Sequence, residues 1–332
     1  MTRKRNRLRP LVVAALAAAL VVAVGLEGAR AVKRALRPEP PEIAVIIKTT
    51  AGDIEFWRVF EDGVRVAAKE FDVVATVDGP PNESAVGAQI ASVYEAIERE
   101  PDAIVLAATD YNRLVPAAEA IRDRGIELVT VDSGINSDAA ASFIATDNLG
   151  AGRKAGEAMA ELLPRGAKVA IVSFVEGTAT QIDREHGVRE RLDAAGIDVV
   201  GTFHSDGDAD KAYRLTKELI ERETQLRGVV GLNETSTVGA GKAIRDAGKG
   251  GDIKLVGFDS SIDEVKLLEE GVIQATVVQQ PFQMGYLGVK TAVDAIRGKR
   301  VPEAIATDSV LITKETMYTD ENQKLLFPFV ER

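Results

Sequence analysis

Hydrophobic and polar positions in this chain switch between two periods. Short, continuous apolar runs alternate with longer stretches in which apolar residues recur every three or four positions. The first run, Ile-Ala-Val-Ile-Ile at 43–47, predicts a strand, and Phe60, Val64 and Ala68 predict a helix over 56–69. A second strand is expected over 72–77. It is closed by Gly79-Pro80-Pro81, which a helix cannot cross. Val86, Ile90, Val93 and Ile97 share one face of a helix over 84–98. Further strands are expected over 103–107, 128–131 and 142–145, with a helix around 114–121 between the first two. The rhythm then restarts. Strands are expected over 168–173, 199–203, 228–232 and 254–258, with helices near Glu157, Arg189, Leu219 and Ala243. The segment 274–278 ends this series, and a long helix follows over 282–296. Runs without alternation suit strands covered on both faces, as in parallel sheets. Two consecutive βα arrays therefore predict an α/β fold of two doubly wound parallel sheets with a cleft between them.

The N-terminus stands apart from this pattern. Arg3, Lys4, Arg5, Arg7 and Arg9 precede an apolar stretch of 16 residues over 11–26. As a helix it would span roughly 24 Å, short of a bilayer core of about 30 Å. Ala29-Arg30-Ala31 offers a small-x-small cleavage site, crowded by Lys33, Arg34 and Arg37. Two readings of 1–41 stay open: a cleaved export signal, or a retained anchor tethered through Pro38, Pro40 and Pro41. Both put the folded part in the periplasm or on the extracytoplasmic face of the membrane. Beyond residue 37 the chain holds 32 basic against 50 acidic residues, a net charge of −18, which argues against a nucleic-acid partner. The absence of cysteine excludes disulfides, thiolate catalysis, cysteine-ligated metals and lipid attachment through a cysteine.

Candidate chemistry gathers at the C-terminal ends of the expected strands and at strand–helix junctions, where open α/β sheets bind ligands. Asp132 (TVDS) and Asp259 (VGFDSS) follow strands in equivalent places of the two arrays. Either carboxylate can accept hydrogen bonds from adjacent sugar hydroxyls, or simply cap a turn. Arg184, early in a helix, can fork across ring and hydroxyl oxygens or stand as a surface charge. Asn233 and Gln279 are amides that suit hydroxyls and equally suit helix caps. Phe56 and Trp57 offer aromatic faces to the C–H face of a sugar, although helical spacing assigns one of them to the core. Lys48, ending the first strand, can hold an anionic or carbonyl oxygen or extend into solvent. His186, on a helix, and His204, on a loop, lack metal-ligand spacing, and neither Gly79-Pro80-Pro81 nor Gly248-Lys249-Gly250-Gly251 resembles a phosphate loop. No cofactor is expected. The pattern reads as a binder rather than an enzyme.

Several stretches in order carry a family resemblance: FW followed by EDG, AATD at 107–110, TVDS, IATDN, GT…REHG, GLNE, LVGFDSS and ATVVQQP. From residue 43 to about 314 the chain resembles the type I periplasmic sugar-binding proteins, the ribose-binding branch of extracytoplasmic solute receptors. Repressors that share the fold begin with a helix-turn-helix, and here the export segment takes that place. The resemblance implies a clamp of two lobes joined by three crossing strands near Asp147, Gln280 and Asp308. One lobe would comprise 42–146 and 280–308, the other 147–279 and 309–332. It further implies that Phe56 and Trp57 stack on a sugar or polyol whose hydroxyls bond Asp132, Arg184, Asn233, Asp259 and Gln279. The chain departs from the family pattern where Asp132-Ser133 replaces an Asp-Arg pair and where Gly207 replaces a stacking aromatic. The first loop, KTTAGDIE, is longer and places Lys48 where some relatives use lysine for a furanosyl or hydrated-carbonyl ligand. These departures argue against ribose itself. The implied function is capture of a sugar or polyol by a monomer that delivers it to an ABC permease. The alternative is an anchored sensory receptor signalling to a histidine kinase or chemoreceptor.

Overall fold

The structure, a computed structural model, describes residues 40–327. The basic N-terminal segment read as a signal or anchor lies outside the described residues. The first array runs β1 (Glu42–Ile46), α1 (Glu55–Phe71), β2 (Val74–Asp78), α2 (Val86–Glu98), β3 (Ala103–Leu106), α3 (Val115–Asp123), β4 (Glu127–Val131) and β5 (Ser142–Thr146). The second runs α4 (Asn148–Leu162), β6 (Lys168–Ser173), α5 (Ala179–Ala195), β7 (Asp198–His204), α6 (Ala209–Arg222), β8 (Leu226–Gly231), α7 (Glu234–Asp246), β9 (Lys254–Phe258), α8 (Ile262–Glu269) and β10 (Ala275–Val278). Then follow α9 (Pro281–Ile296), β11 (Ala304–Thr307), β12 (Val310–Thr313) and α10 (Asp320–Leu326).

The strands form two six-stranded sheets with the same order, β2-β1-β3-β4-β5-β11 and β7-β6-β8-β9-β10-β12. The chain passes between sheets after β5, after β10 and between β11 and β12. All ladders are parallel except that of β12, which runs antiparallel to β10. The sequence pattern did not anticipate this, because β11 and β12 are four-residue strands outside the alternation of strands and helices.

The continuous apolar runs follow from covering both sheet faces. Ile43, Val45 and Ile47 pack with Phe60 and Val64 of α1 and with Met284 and Val289 of α9. The intervening Ala44 and Ile46 pack on the opposite face with Val93 of α2 and Ile121 of α3. In the second sheet, Val169 and Ile171 face Val188 and Leu192 of α5, while Ala170 and Val172 face Leu219 of α6 and Ile244 of α7. Successive strand residues point to opposite faces, so each strand feeds two cores.

Two boundaries differ from expectation for local reasons. Asp72 adopts a left-handed φ of 55° and ends α1, its N–H bonding Ala68 O, so β2 starts at Val74 rather than at 72. His204 is the last residue of β7, not a loop residue. The eight residues of α8 were too few to register as a periodic pattern. Its start is nonetheless written in Ser261-x-x-Glu264, whose two side chains form a capping box.

Bare glycines bring helix backbones together in each half. A Cβ on Gly63 of α1 would lie 2.1 Å from Phe282 O, and one on Gly285 of α9 would lie 2.2 Å from Phe60 O. In the second half, Gly152 of α4 and Gly187 of α5 leave the same kind of gap, 2.3 Å from Arg184 O and 2.3 Å from Leu149 O. Backbone carbonyls cannot retreat as a side chain can. Gly187→Ala should therefore cost about 1–3 kcal/mol through overpacking, read as a lower urea midpoint with unchanged slope.

Candidate functional site

The shared strand order puts the chain reversal of each sheet between its first and third strands, and a crevice opens beyond the strand ends there. Lys48 lies just past β1, Asp132 directly follows β4, Phe174 follows β6, Asn233 lies just past β8, Asp259 follows β9 and Gln279 follows β10. Asp132 and Asp259 repeat one backbone arrangement. Each donates its N–H to the next strand in order, Asp132 to Ile144 O at 2.8 Å and Asp259 to Val277 O at 2.9 Å. Each also adopts a left-handed φ, 56° and 76°. Such a conformation in a non-glycine residue costs on the order of 1–3 kcal/mol and concentrates at functional sites. Both side chains are buried.

All eight residues singled out from the sequence line one small, tightly closed cavity. Ile54, Glu83, Phe174, Thr180 and Glu234 complete its wall. Lys48 is only 3% exposed, which removes the solvated-lysine alternative. Its Nζ lies 2.7 Å from Asp132 Oδ2 and donates to Thr180 Oγ1 at 3.3 Å. The contact with Asp132 is an ion pair without hydrogen-bond alignment, so Oδ2 has no hydrogen-bond partner in the protein. Arg184, in α5, is held by two acceptors: Nε donates to Asn148 Oδ1 and Nη1 to Leu232 O, both at 2.8 Å. Its guanidinium sits 4.6 Å from the Phe258 ring centre, a packed cation–π contact. Among the described residues, Nη2 has no hydrogen-bond partner.

Asp259 is oriented on both oxygens. Oδ2 accepts the Glu234 N–H at the start of α7 at 2.9 Å, and Oδ1 accepts Gln279 Nε2 at 2.6 Å. Gln279 Oε1 in turn accepts Thr146 Oγ1 at 2.9 Å, linking the ends of β5 and β10. Asn233 realises its capping alternative through one atom: Oδ1 accepts the Ser236 N–H at 3.0 Å, leaving Nδ2 without a bond to the protein. Trp57 packs edge-on to Phe56 at 5.0 Å and to Phe60 at 5.6 Å, and its Nε1 donates to Glu83 Oε1 at 2.9 Å. Phe56 and Trp57 thus belong to the core and to the cavity wall at once.

Sequence reasoning missed Glu83, Phe174, Thr180 and Glu234. Phe174 follows β6 as the KTTAGDIE loop follows β1, so the repeat itself carried its signal. Glu234 adjoins Asn233 in GLNE, and Glu83 follows the Pro-Pro turn after β2. Both read as ordinary surface acids, because nothing local marks a carboxylate that tertiary packing will bury.

Four carboxylates and two cations share the wall. Burial raises Glu83, with Lys48 opposing, and raises Asp259, with Arg184 opposing. Burial pushes Glu234 from its ordinary 4.5 up to about 8. Glu264, buried nearby, is raised by burial and by Glu234 and Asp259. The sign follows from proton uptake. Between the ordinary carboxylate range and about 8, the folded protein holds protons that the unfolded chain has released. Stability therefore falls as pH rises through that window. Melting temperatures at pH 5.5, 7 and 8.5 should decline in that order, and a rise across the series would contradict the assignment.

Comparison with known proteins places this geometry. Residues 43–300 match the periplasmic binding protein domain, and the chain belongs to that family. It is 29% identical over 273 residues to a D-ribose/D-allose-binding protein of Pseudomonas aeruginosa, covering 79% of this chain and 84% of that one. Its fold matches an ABC transporter solute-binding protein of Agrobacterium vitis crystallised with D-fucose, with a TM-score of 0.83, 34% identity, and coverage of 86% and 99% of the two chains. It also matches a carbohydrate transporter solute-binding protein of Agrobacterium radiobacter in complex with D-arabinose, with a TM-score of 0.83, 28% identity, and coverage of 87% and 100%. These relatives are binding proteins, and the family implies an extracytoplasmic location.

Proposed function

We propose that the cavity between the two sheets captures a single sugar or polyol and that the protein delivers it, as a monomer, to an ABC permease. One observation carries the reading. Asp132 and Asp259, at equivalent strand ends of the two sheets, line the same cavity beside Lys48 and Arg184, with aromatic walls from both halves. Carboxylates that accept paired hydroxyls, amide and guanidinium donors with unused hydrogens, and aromatic faces for C–H bonds match the surface of a polyhydroxylated ring. Phe56 and Trp57 stack on it; Asp132, Arg184, Asn233, Asp259 and Gln279 bond its hydroxyls; Lys48 supplies a further charge. Asp132 Oδ2, which accepts no hydrogen bond from the described residues, and the unused Nη2 of Arg184 and Nδ2 of Asn233 support these roles. Residues 42–146 with 280–308 form one lobe and 147–279 with 309–332 the other, and the three crossings act as the hinge. The N-terminal segment exports the protein or anchors it outside. Relatives named for sugar binding and transport favour delivery over the sensory alternative.

A thermal-shift screen tests the reading with D-ribose, D-allose, D-fucose, D-arabinose, D-tagatose and xylitol. A ligand at a hundred times its dissociation constant adds about 2.7 kcal/mol to stability. At least one sugar or polyol should raise the melting temperature by several degrees. A folded protein that responds to none contradicts the proposed class.

A further inference from the structure

Helix α1 begins without a cap of its own. Its N-cap residue, Ile54, offers no side-chain acceptor, yet the first turn of a helix leaves backbone N–H groups unpaired. The acceptor comes from across the cleft. Glu234, at the start of α7, takes the Glu55 N–H on Oε1 and the Phe56 N–H on Oε2, both at 2.9 Å. The arrangement is reciprocal: Glu55 Oε2 accepts the N–H of Ile262, the first residue of α8, at 3.0 Å. Each half of the molecule therefore places a carboxyl group on a helix N-terminus of the other. At another point of the cleft a backbone bond, Tyr111 N–H to Gly177 O at 2.9 Å, also joins the halves.

We infer that Glu55 and Glu234 are positioning residues that latch the two lobes shut, setting affinity through closure rather than by recognising the sugar. Glu55 separates the two effects, because it lies outside the central cavity, whereas Glu234 lines it. A contact made only in the closed form shifts the open–closed equilibrium by its own free energy, whichever ligand is bound. Removing it multiplies every dissociation constant by one factor and leaves the order of preference intact. The two helix starts also lose these partners whenever the lobes part, so closure pairs three backbone N–H groups. Phe56, whose N–H the latch holds, and Trp57 form the aromatic wall of the cavity, so the latch also fixes where that wall stands.

The inference rests on the sugar-capture reading, and the chain makes the two separable. It contains no cysteine and one tryptophan, Trp57, at the site. Lys69→Cys in α1 and Lys217→Cys in α6 give one exposed spin-label position per lobe. In the ligand-free labelled protein the closed distance should be populated, and Glu55→Ala should shrink that population at least severalfold. Trp57 fluorescence titrations with the panel sugars should show Glu55→Ala weakening every sugar that binds by one common factor, about five- to fiftyfold. Glu55→Gln, which keeps an acceptor oxygen for Ile262, should recover part of the loss. The melting temperature of the open, ligand-free Glu55→Ala protein should stay within a degree of the parent, which a merely structural role would not allow. Equal distance distributions in parent and Glu55→Ala overturn the latch, as does a loss confined to particular sugars. If no sugar binds the parent protein, the capture reading fails while the distance comparison still decides the latch.

Discussion

Arg184→Ala should be the most damaging substitution at the site, costing about 3–5 kcal/mol of stability and abolishing measurable sugar binding. The side chain is 2% exposed and holds two protein acceptors, Asn148 Oδ1 and Leu232 O. Its truncation leaves both unsatisfied in a buried setting, at about 1–3 kcal/mol each. It also removes the positive charge that most strongly opposes the burial of Asp259. Stripping one member from a buried set of opposite charges costs about 3–5 kcal/mol, because the remaining charge stays buried without compensation. The contact with the Phe258 ring is lost as well. Urea denaturation checks the stability change. A variant as stable as the parent would mean that Arg184 holds nothing together. Arg184→Lys should recover little, because an ammonium cannot reproduce the planar fork that serves Asn148, Leu232 and a ligand oxygen together.

The second large effect falls on binding, with a cost in stability as well because Lys48 is left buried without its partner. Asp132→Ala should weaken sugar affinity by tenfold to more than a hundredfold. A charged hydrogen bond to a buried hydroxyl contributes about 1.5–3 kcal/mol, and each 1.4 kcal/mol is about a factor of ten in affinity. Asp132 is the better test of the pair, since its Oδ2 has no hydrogen bond to the protein. Asp259 is different, because both of its oxygens already accept protein donors. Asp259→Ala should therefore lose affinity in the same range and also loosen Gln279 and the start of α7. Calorimetric titration of the two variants reads the difference. Unchanged affinity in both would remove the proposed site.

The fold was legible because its signal is periodic and redundant. Runs such as 43–47 and 169–172 are apolar throughout because helices cover both faces of each sheet, and the repetition of the rhythm announced two sheets. The short strands β11 and β12 lie outside the repeating rhythm, and the two turns of α8 carry too few positions for a period to emerge. The site was legible where chain position alone implied location. Asp132, Asp259 and Gln279 follow strands directly, and doubly wound sheets bring such ends together. Glu83, Thr180 and Glu234 were not, because their burial depends on the two halves meeting, and no local pattern encodes that encounter. Lys48 shows the same limit from the other side. Only the ion pair with Asp132 and the bond to Thr180, 132 positions away, decide between a solvated and a buried amine.

Capture by this protein requires that a sugar or polyol occupy the cavity between the two sheets. A crystal structure grown with the sugar or polyol that gives the largest thermal shift tests it most directly. The expected electron density is a single ring or polyol against Phe56 and Trp57, with hydroxyls within hydrogen-bond distance of Asp132, Arg184 and Asp259. A ligand bound elsewhere on the molecule, with this cavity empty, would contradict it.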